Sequence, residues 1–178
     1  AVTLQSDVTI TTGTAGAGNI LFTDAALIDS TAGEPTNDLT LTAGTGTISF
    51  NANIGTVTPA AGTGTRPGNL TVSGTVGAVT FGGADATAVG SETGPVTTVN
   101  TDGFIDLGVG LLDTDVITGG IKLNAGSGTL TITTSDDNVR FNGAVTLQSD
   151  VTITTGTAGA GNILFTDAAL IDSTAGEP

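Results

Sequence analysis

The sequence predicts an all-β chain wound as a parallel β-helix (β-solenoid) of about six rungs per 143-residue repeat. Three observations lead there. Residues 1–35, AVTLQSDVTITTGTAGAGNILFTDAALIDSTAGEP, return without a difference as residues 144–178. Short apolar–x–apolar triplets recur through the intervening chain, parted by Gly, Asn and Asp. The composition supplies strands and turns but no thick core: 38% of residues are hydrophobic, 28 are Gly, six are Phe, and Cys, His, Met, Trp and Tyr are absent.

The duplication sets the outer frame, because a fixed period points to a repeat architecture before any local pattern is weighed. The offset makes residues 1–143 one complete unit and residues 144–178 the start of the next identical unit. The chain opens on AVTL without Met and ends in mid-pattern. A processed product or a window of a longer array is therefore expected.

A finer template lies inside the unit. Residues 39–50 (LTLTAGTGTISF), 70–81 (LTVSGTVGAVTF) and 121–132 (IKLNAGSGTLTI) each run apolar–x–apolar, a turn of small residues, then apolar–x–apolar. Residues 8–22 fit with a longer turn, residues 139–147 with a turn shortened to Asn142-Gly143, and residues 96–107 more weakly. Alternation over a few residues marks half-buried strands. Val, Ile and Thr suit extended backbone because their branched Cβ restricts χ1. Gly, Asn and Asp supply the turns.

Rungs are expected to start near 8, 39, 70, 96, 121 and 139, each about 24 residues long, in the range of solenoid repeats. At ~4.8 Å per layer the unit would rise about 29 Å. Like residues would stack into one interior ladder of Phe22, Phe50, Phe81 and Phe165, with Leu107 and Ile132 filling the gaps. Residues 24–37, 55–69 and 82–96 hold most of the prolines and are expected as outer loops.

The template LTLTAGTGTISF, with IKLNAGSGTLTI and NVRFNGAVTLQSDVTITT, resembles the β-strand repeats of filamentous-haemagglutinin-like exoproteins. These are large bacterial surface or secreted adhesins, and the resemblance runs over nearly the whole chain. It implies a right-handed β-helix, export across an outer membrane, and a role in adhesion or matrix.

Charge narrows the partners. The net charge is −14, and Arg66, Lys122 and Arg140 are the only basic residues. Nucleic acid is not expected, since phosphate binding needs clustered Lys and Arg. Membrane insertion is not expected either, because no run of about 18 apolar residues occurs. A strong charge of one sign keeps long polymers soluble and apart.

Few residues carry chemistry. The acidic groups Asp102 with Asp106, Asp113 with Asp115, and Asp136 with Asp137 are the candidates. No cofactor is expected. If a metal is held it is Ca²⁺, with Asp113, Asp115, Asp136 and Asp137 as ligands, although the spacing of an EF-hand is absent. Asp136-Asp137-Asn138 between two strands also reads simply as a turn. Nothing offers a nucleophile–base pair, so no enzyme is expected. Gly13–Asn19 resembles a phosphate loop only superficially, since no Lys-Ser/Thr follows. The T-x-T pairs Thr9/Thr11, Thr40/Thr42 and Thr131/Thr133 resemble ice-binding arrays, with Lys122 and Asn124 expected to break them.

The expectation is a secreted or cell-surface protein, a structural component of a fibre built from tandem solenoid repeats that associates with itself end to end. The alternatives are an adhesin that binds a glycan or protein ligand through its outer loops, a stalk of tandem Ig-like sandwiches, and, remotely, ice binding.

Overall fold

A computed structural model of the chain describes residues 1–13, 16, 18–23, 26–31, 37–55, 66–82, 96, 98–101, 103–109, 117–156, 160–166 and 170–173. All regular structure among them is β-strand. The strands are β1 (Val2–Leu4), β2 (Val8–Thr11), β3 (Ile20–Phe22), β4 (Ile28–Ser30), β5 (Leu39–Thr42), β6 (Thr47–Phe50), β7 (Leu70–Ser73), β8 (Ala78–Phe81) and β9 (Thr98–Asn100). They continue as β10 (Ile105–Val109), β11 (Ile121–Leu123), β12 (Thr129–Thr133), β13 (Val139–Phe141), β14 (Val145–Leu147), β15 (Asp150–Thr154), β16 (Ile163–Phe165) and β17 (Ile171–Ser173).

Every described strand pairing is parallel. That excludes an antiparallel sandwich for these residues. Sheet I has the order β2-β5-β7-β10-β13-β16, and sheet II the order β3-β6-β8-β11-β14-β17. Sheet III pairs β1 with β4 and runs β9-β12-β15. Ile54 links its two parts by parallel bridges to Ile28 and Val99. The chain thus visits sheets I, II and III in turn and returns to sheet I one strand further on. Parallel neighbours need a long crossover, and here the two other strands of each round provide it in place of a helix.

The inward side chains of all three sheets join one hydrophobic cluster. In sheet I, Leu39, Leu70, Ile105 and Val139 form one buried column, and Leu41, Val72, Leu107 and Phe141 another. Burial of each such side chain stabilises by roughly 1.5–3 kcal/mol.

Five of the six Phe fall in two stacks, and Phe104 is exposed. Phe22, Phe50 and Phe81 lie face to face in sheet II, with centroids 5.2 and 4.9 Å apart. Phe141 stacks on Phe165 at 4.9 Å in sheet I.

The expected single ladder is therefore three columns. Phe22, Phe50 and Phe81 share one in sheet II, continued by Leu123. Leu107 and Phe165 belong to sheet I. Ile132 lies in sheet III between Val99 and Ile153. The cause is that strands of all three sheets share the apolar–x–apolar template, so matching templates does not fix the sheet. Residues 39–50 and 70–81 run from sheet I to sheet II, whereas 121–132 run from sheet II to sheet III. Ile121 accordingly pairs with Val79 and Val145, not with Leu39 and Leu70.

The layers also number fewer than six per unit. Sheet I holds the starts at 8, 39, 70, 105 and 139, while 121 begins a strand of sheet II. Each round consumes three strands, not two.

The identical segments occupy different places. In the first copy β1 to β4 lie in sheets III, I, II and III; in the second, β14 to β17 lie in II, III, I and II. One loop-closing hydrogen bond recurs in both. The Thr12 hydroxyl donates to the Gly18 carbonyl at 2.6 Å, and Thr155 donates to Gly161 at 3.0 Å. The first loop leads from sheet I to II, the second from III to I.

The corners carry a polar ladder. At the entry to sheet I, the Asp38 N–H donates to Asp7 Oδ1 at 3.0 Å, and the Asn69 N–H to Asp38 Oδ1 at 2.8 Å. Phe104 N–H then donates to Asn69 Oδ1 at 3.0 Å, and Asn162 N–H to Asn138 Oδ1 at 2.8 Å. Asn19 and Asn53 do the same work at the entries to sheets II and III, accepting from Thr47 and Thr98. Corner amides that the sheets leave unpaired are satisfied this way.

Candidate functional site

The feature that separates the two copies is what covers them. In the first copy, β5 lies on β2, β6 on β3, and Ile54 on Ile28. Ile28, held between Val2 and Ile54, is fully buried as a result, while β2 and β3 are the first strands of their own sheets. In the second copy, β15, β16 and β17 are the last strands of their sheets. There Ile171, the counterpart of Ile28, is 48% exposed against 0%, Leu170 is 70% exposed and Ile163 is exposed, while Phe165 is partly buried against the core. A strand edge with unpaired N–H and C=O groups beside exposed apolar side chains is a template for another strand.

Beside this open layer the outer surface of sheet I forms a groove of about 670 Å³, lined by Phe104, Ile105, Asp106, Asn138, Arg140, Asn162, Ile163 and Leu164. Its polar centre is a forked ion pair. Arg140 Nε donates to Asp106 Oδ1 at 2.8 Å, and Nη2 donates to Oδ2 at 2.9 Å. Nη2 also donates to the Gly108 carbonyl at 3.1 Å. That carbonyl, which also accepts from Asn142 Nδ2 at 3.0 Å, lies at a bulge where the pairing of β10 with β7 slips between Leu107 and Val109. Gly108 has φ +114, and a Cβ there would press on Asn142 at 2.8 Å. The position thus demands glycine.

Burial pushes the Asp106 carboxyl above its ordinary value; the hydrogen bond and charge of Arg140 pull the other way without cancelling the effect.

The expected metal ligands are only partly visible. Asp113 and Asp115 lie outside the described residues, as does Asp102. Asp136 and Asp137 form the turn from β12 to β13. Asp136 has φ +60, the Thr134 hydroxyl donates to the Asp137 carbonyl, and Gly156 packs against Asp136. Among the described residues, no three His, Cys, Asp or Glu side chains come together as a metal group, and no helix is long and apolar enough to cross a membrane.

The threonine pairs are divided between sheets. Thr9, Thr40 and Thr71 stack on sheet I, with the Thr42 and Ser73 hydroxyls 2.8 Å apart beside them. Asp106 and Arg140 end that array. Thr131 and Thr133 lie on sheet III against Thr152 and Thr154. Lys122 belongs to sheet II and interrupts neither.

Sequence reasoning paired Asp106 with Asp102 and missed Arg140, which lies 34 residues along the chain. The available signal was that both are the middle residue of an apolar–x–apolar triplet in successive strands of one sheet. Comparison with protein-family models, curated proteins and solved structures found no match.

Proposed function

We propose that the three sheets close into a three-sided parallel β-solenoid, and that the chain is a segment of a secreted or cell-surface fibre whose role is structural. The observation that carries this reading is the contrast between the copies. Ile28 is fully buried between Val2 and Ile54, whereas its counterpart Ile171 pairs on one side with Val145 and is 48% exposed, a difference that a further stacked layer would remove. The natural occupant is further solenoid, joined by peptide bond or contributed by a second copy. A second copy presents β1, β2 and β3 at its free end, with Val2, Leu4, Val8, Ile10, Ile20 and Phe22 facing inward. The net charge of −14 discourages side-by-side clumping while leaving the apolar ends to associate.

Sedimentation velocity over a concentration series tests this. End-to-end association that Ile163→Lys with Ile171→Lys abolishes is the expected result. A monomer at high concentration, or association indifferent to those changes, overturns it. Fibre diffraction with a meridional spacing of ~4.8 Å is expected of the assembled material.

A second reading, adhesion, is favoured by the groove at Phe104, Asp106 and Arg140. It offers apolar walls around a fixed ion pair, a surface suited to a sugar or peptide. Glycan-array binding that Arg140→Ala removes would support it.

A further inference from the structure

We infer that each 143-residue unit advances the solenoid by four and two-thirds turns, so that successive identical repeats face directions a third of a turn apart. The inference rests on the stacked-layer reading above and deepens it. Before β14, the copy of β1, the chain takes fourteen strand positions: β1 to β13, and Ile54 between β6 and β7. Among the described residues each sheet runs on without a gap. β5 pairs directly with β7, β6 with β8, Ile54 with Val99, β7 with β10 and β8 with β11, so no strand intervenes between these neighbours. Fourteen positions on three sheets is not a whole number of rounds. Each copied strand therefore lands on the sheet before its original: β2 of sheet I becomes β15 of sheet III, and β3 of sheet II becomes β16 of sheet I.

The design tolerates the shift because the strand–corner unit works on any sheet. Asn19 Oδ1 accepts from the Thr47 N–H at the corner entering sheet II, and the N–H of its copy Asn162 donates to Asn138 Oδ1 at the corner entering sheet I, so both stand in Asn-to-amide ladders. The Thr-to-Gly loop closure is likewise kept at two different corners.

At ~4.8 Å per layer, one unit rises about 22 Å, and the original facing returns after three units, about 67 Å. A fibre of such repeats offers each outer loop on three sides in rotation. Its interaction surface is radial, suited to many ligand copies around the rod and unsuited to one flat extended surface such as ice.

The test uses disulfide trapping in the 178-residue chain, which has no native Cys. Neighbouring parallel strands bring Cα atoms within disulfide range. Thr9→Cys with Thr40→Cys is the control for stacking itself. Thr152→Cys, the copy of position 9, is combined either with Thr131→Cys in sheet III or with Arg140→Cys in sheet I. Leu164→Cys, the copy of position 21, is combined either with Arg140→Cys in sheet I or with Thr146→Cys in sheet II. The rotation predicts oxidation of the 131/152 and 140/164 pairs and none of 140/152 or 146/164. Trapping of 140/152 or 146/164 overturns the rotation while the control stands. Failure of the 9/40 control overturns the stacked layers and the rotation with them.

Discussion

Ile28 and Ile171 are the same residue in the same 35-residue sequence, and truncating each to Ala should have very different costs. Ile28 is fully buried, held in sheet III between Val2 and Ile54. Ile171 pairs with Val145 on one side and is 48% exposed. For Ile28→Ala the lost transfer energy and the cavity together cost about 2–5 kcal/mol. For Ile171→Ala only the half already out of water is lost and little cavity forms, so about 1 kcal/mol is expected. Urea unfolding followed by far-UV circular dichroism, at concentrations low enough to prevent association, measures both. If copies stack end to end as proposed, the ranking should narrow at high concentration, because Ile171 would then be covered. Equal costs at low concentration would refute the reasoning, since local sequence would then matter and the covering layer would not.

Other outcomes follow from the same structure. Phe50→Ala removes the middle ring of the three-ring stack, and should cost about 3–5 kcal/mol by urea unfolding, more than Phe165→Ala at the open end. Asn51 is buried and neither polar atom of its side chain has a hydrogen-bond partner. Asn51→Leu should raise the thermal midpoint, with a gain of about 1–3 kcal/mol from relieving the unmet amide; a lowered midpoint would contradict it. Asp106 titrates above its ordinary value in the fold. The folded chain then binds a proton there that the unfolded chain has released, so this group's contribution to stability is full below about 3.8 and is lost as pH rises through its folded value. Asp106→Asn should remove that fall from a plot of unfolding free energy against pH, and an unchanged plot counts against it.

The apolar–x–apolar triplets were legible because two β-branched or large residues flanking a polar one leave a clear alternation. Leu39–Leu41, Leu70–Val72, Ile121–Leu123 and Val139–Phe141 are all strands. Sheet III was harder to read. Its strand β4 places Ser30 where the other sheets place a second apolar residue, its Ile54 position is followed by Gly55, and β9 ends on Asn100. One apolar residue gives no alternation, so residues 24–37 were expected as a loop although Ile28 is fully buried. Missing those positions is what made a round look like two strands and the unit look like six rungs. The candidate site suffered from the same error. Asp106 and Arg140 meet only when β10 and β13 are known to be neighbours.

The hydrogen bonds between layers run along the stacking direction, and each layer is also the covalent continuation of the one before. Pulled from its two ends, such a chain has no bonds arranged to slide in concert; it peels from the free end, layer after layer. Between Leu39 and Leu70 one layer stores 31 residues, which reach roughly 100 Å when drawn out. In the proposed fibre, such a chain would yield in many small, similar steps and dissipate a tug without parting.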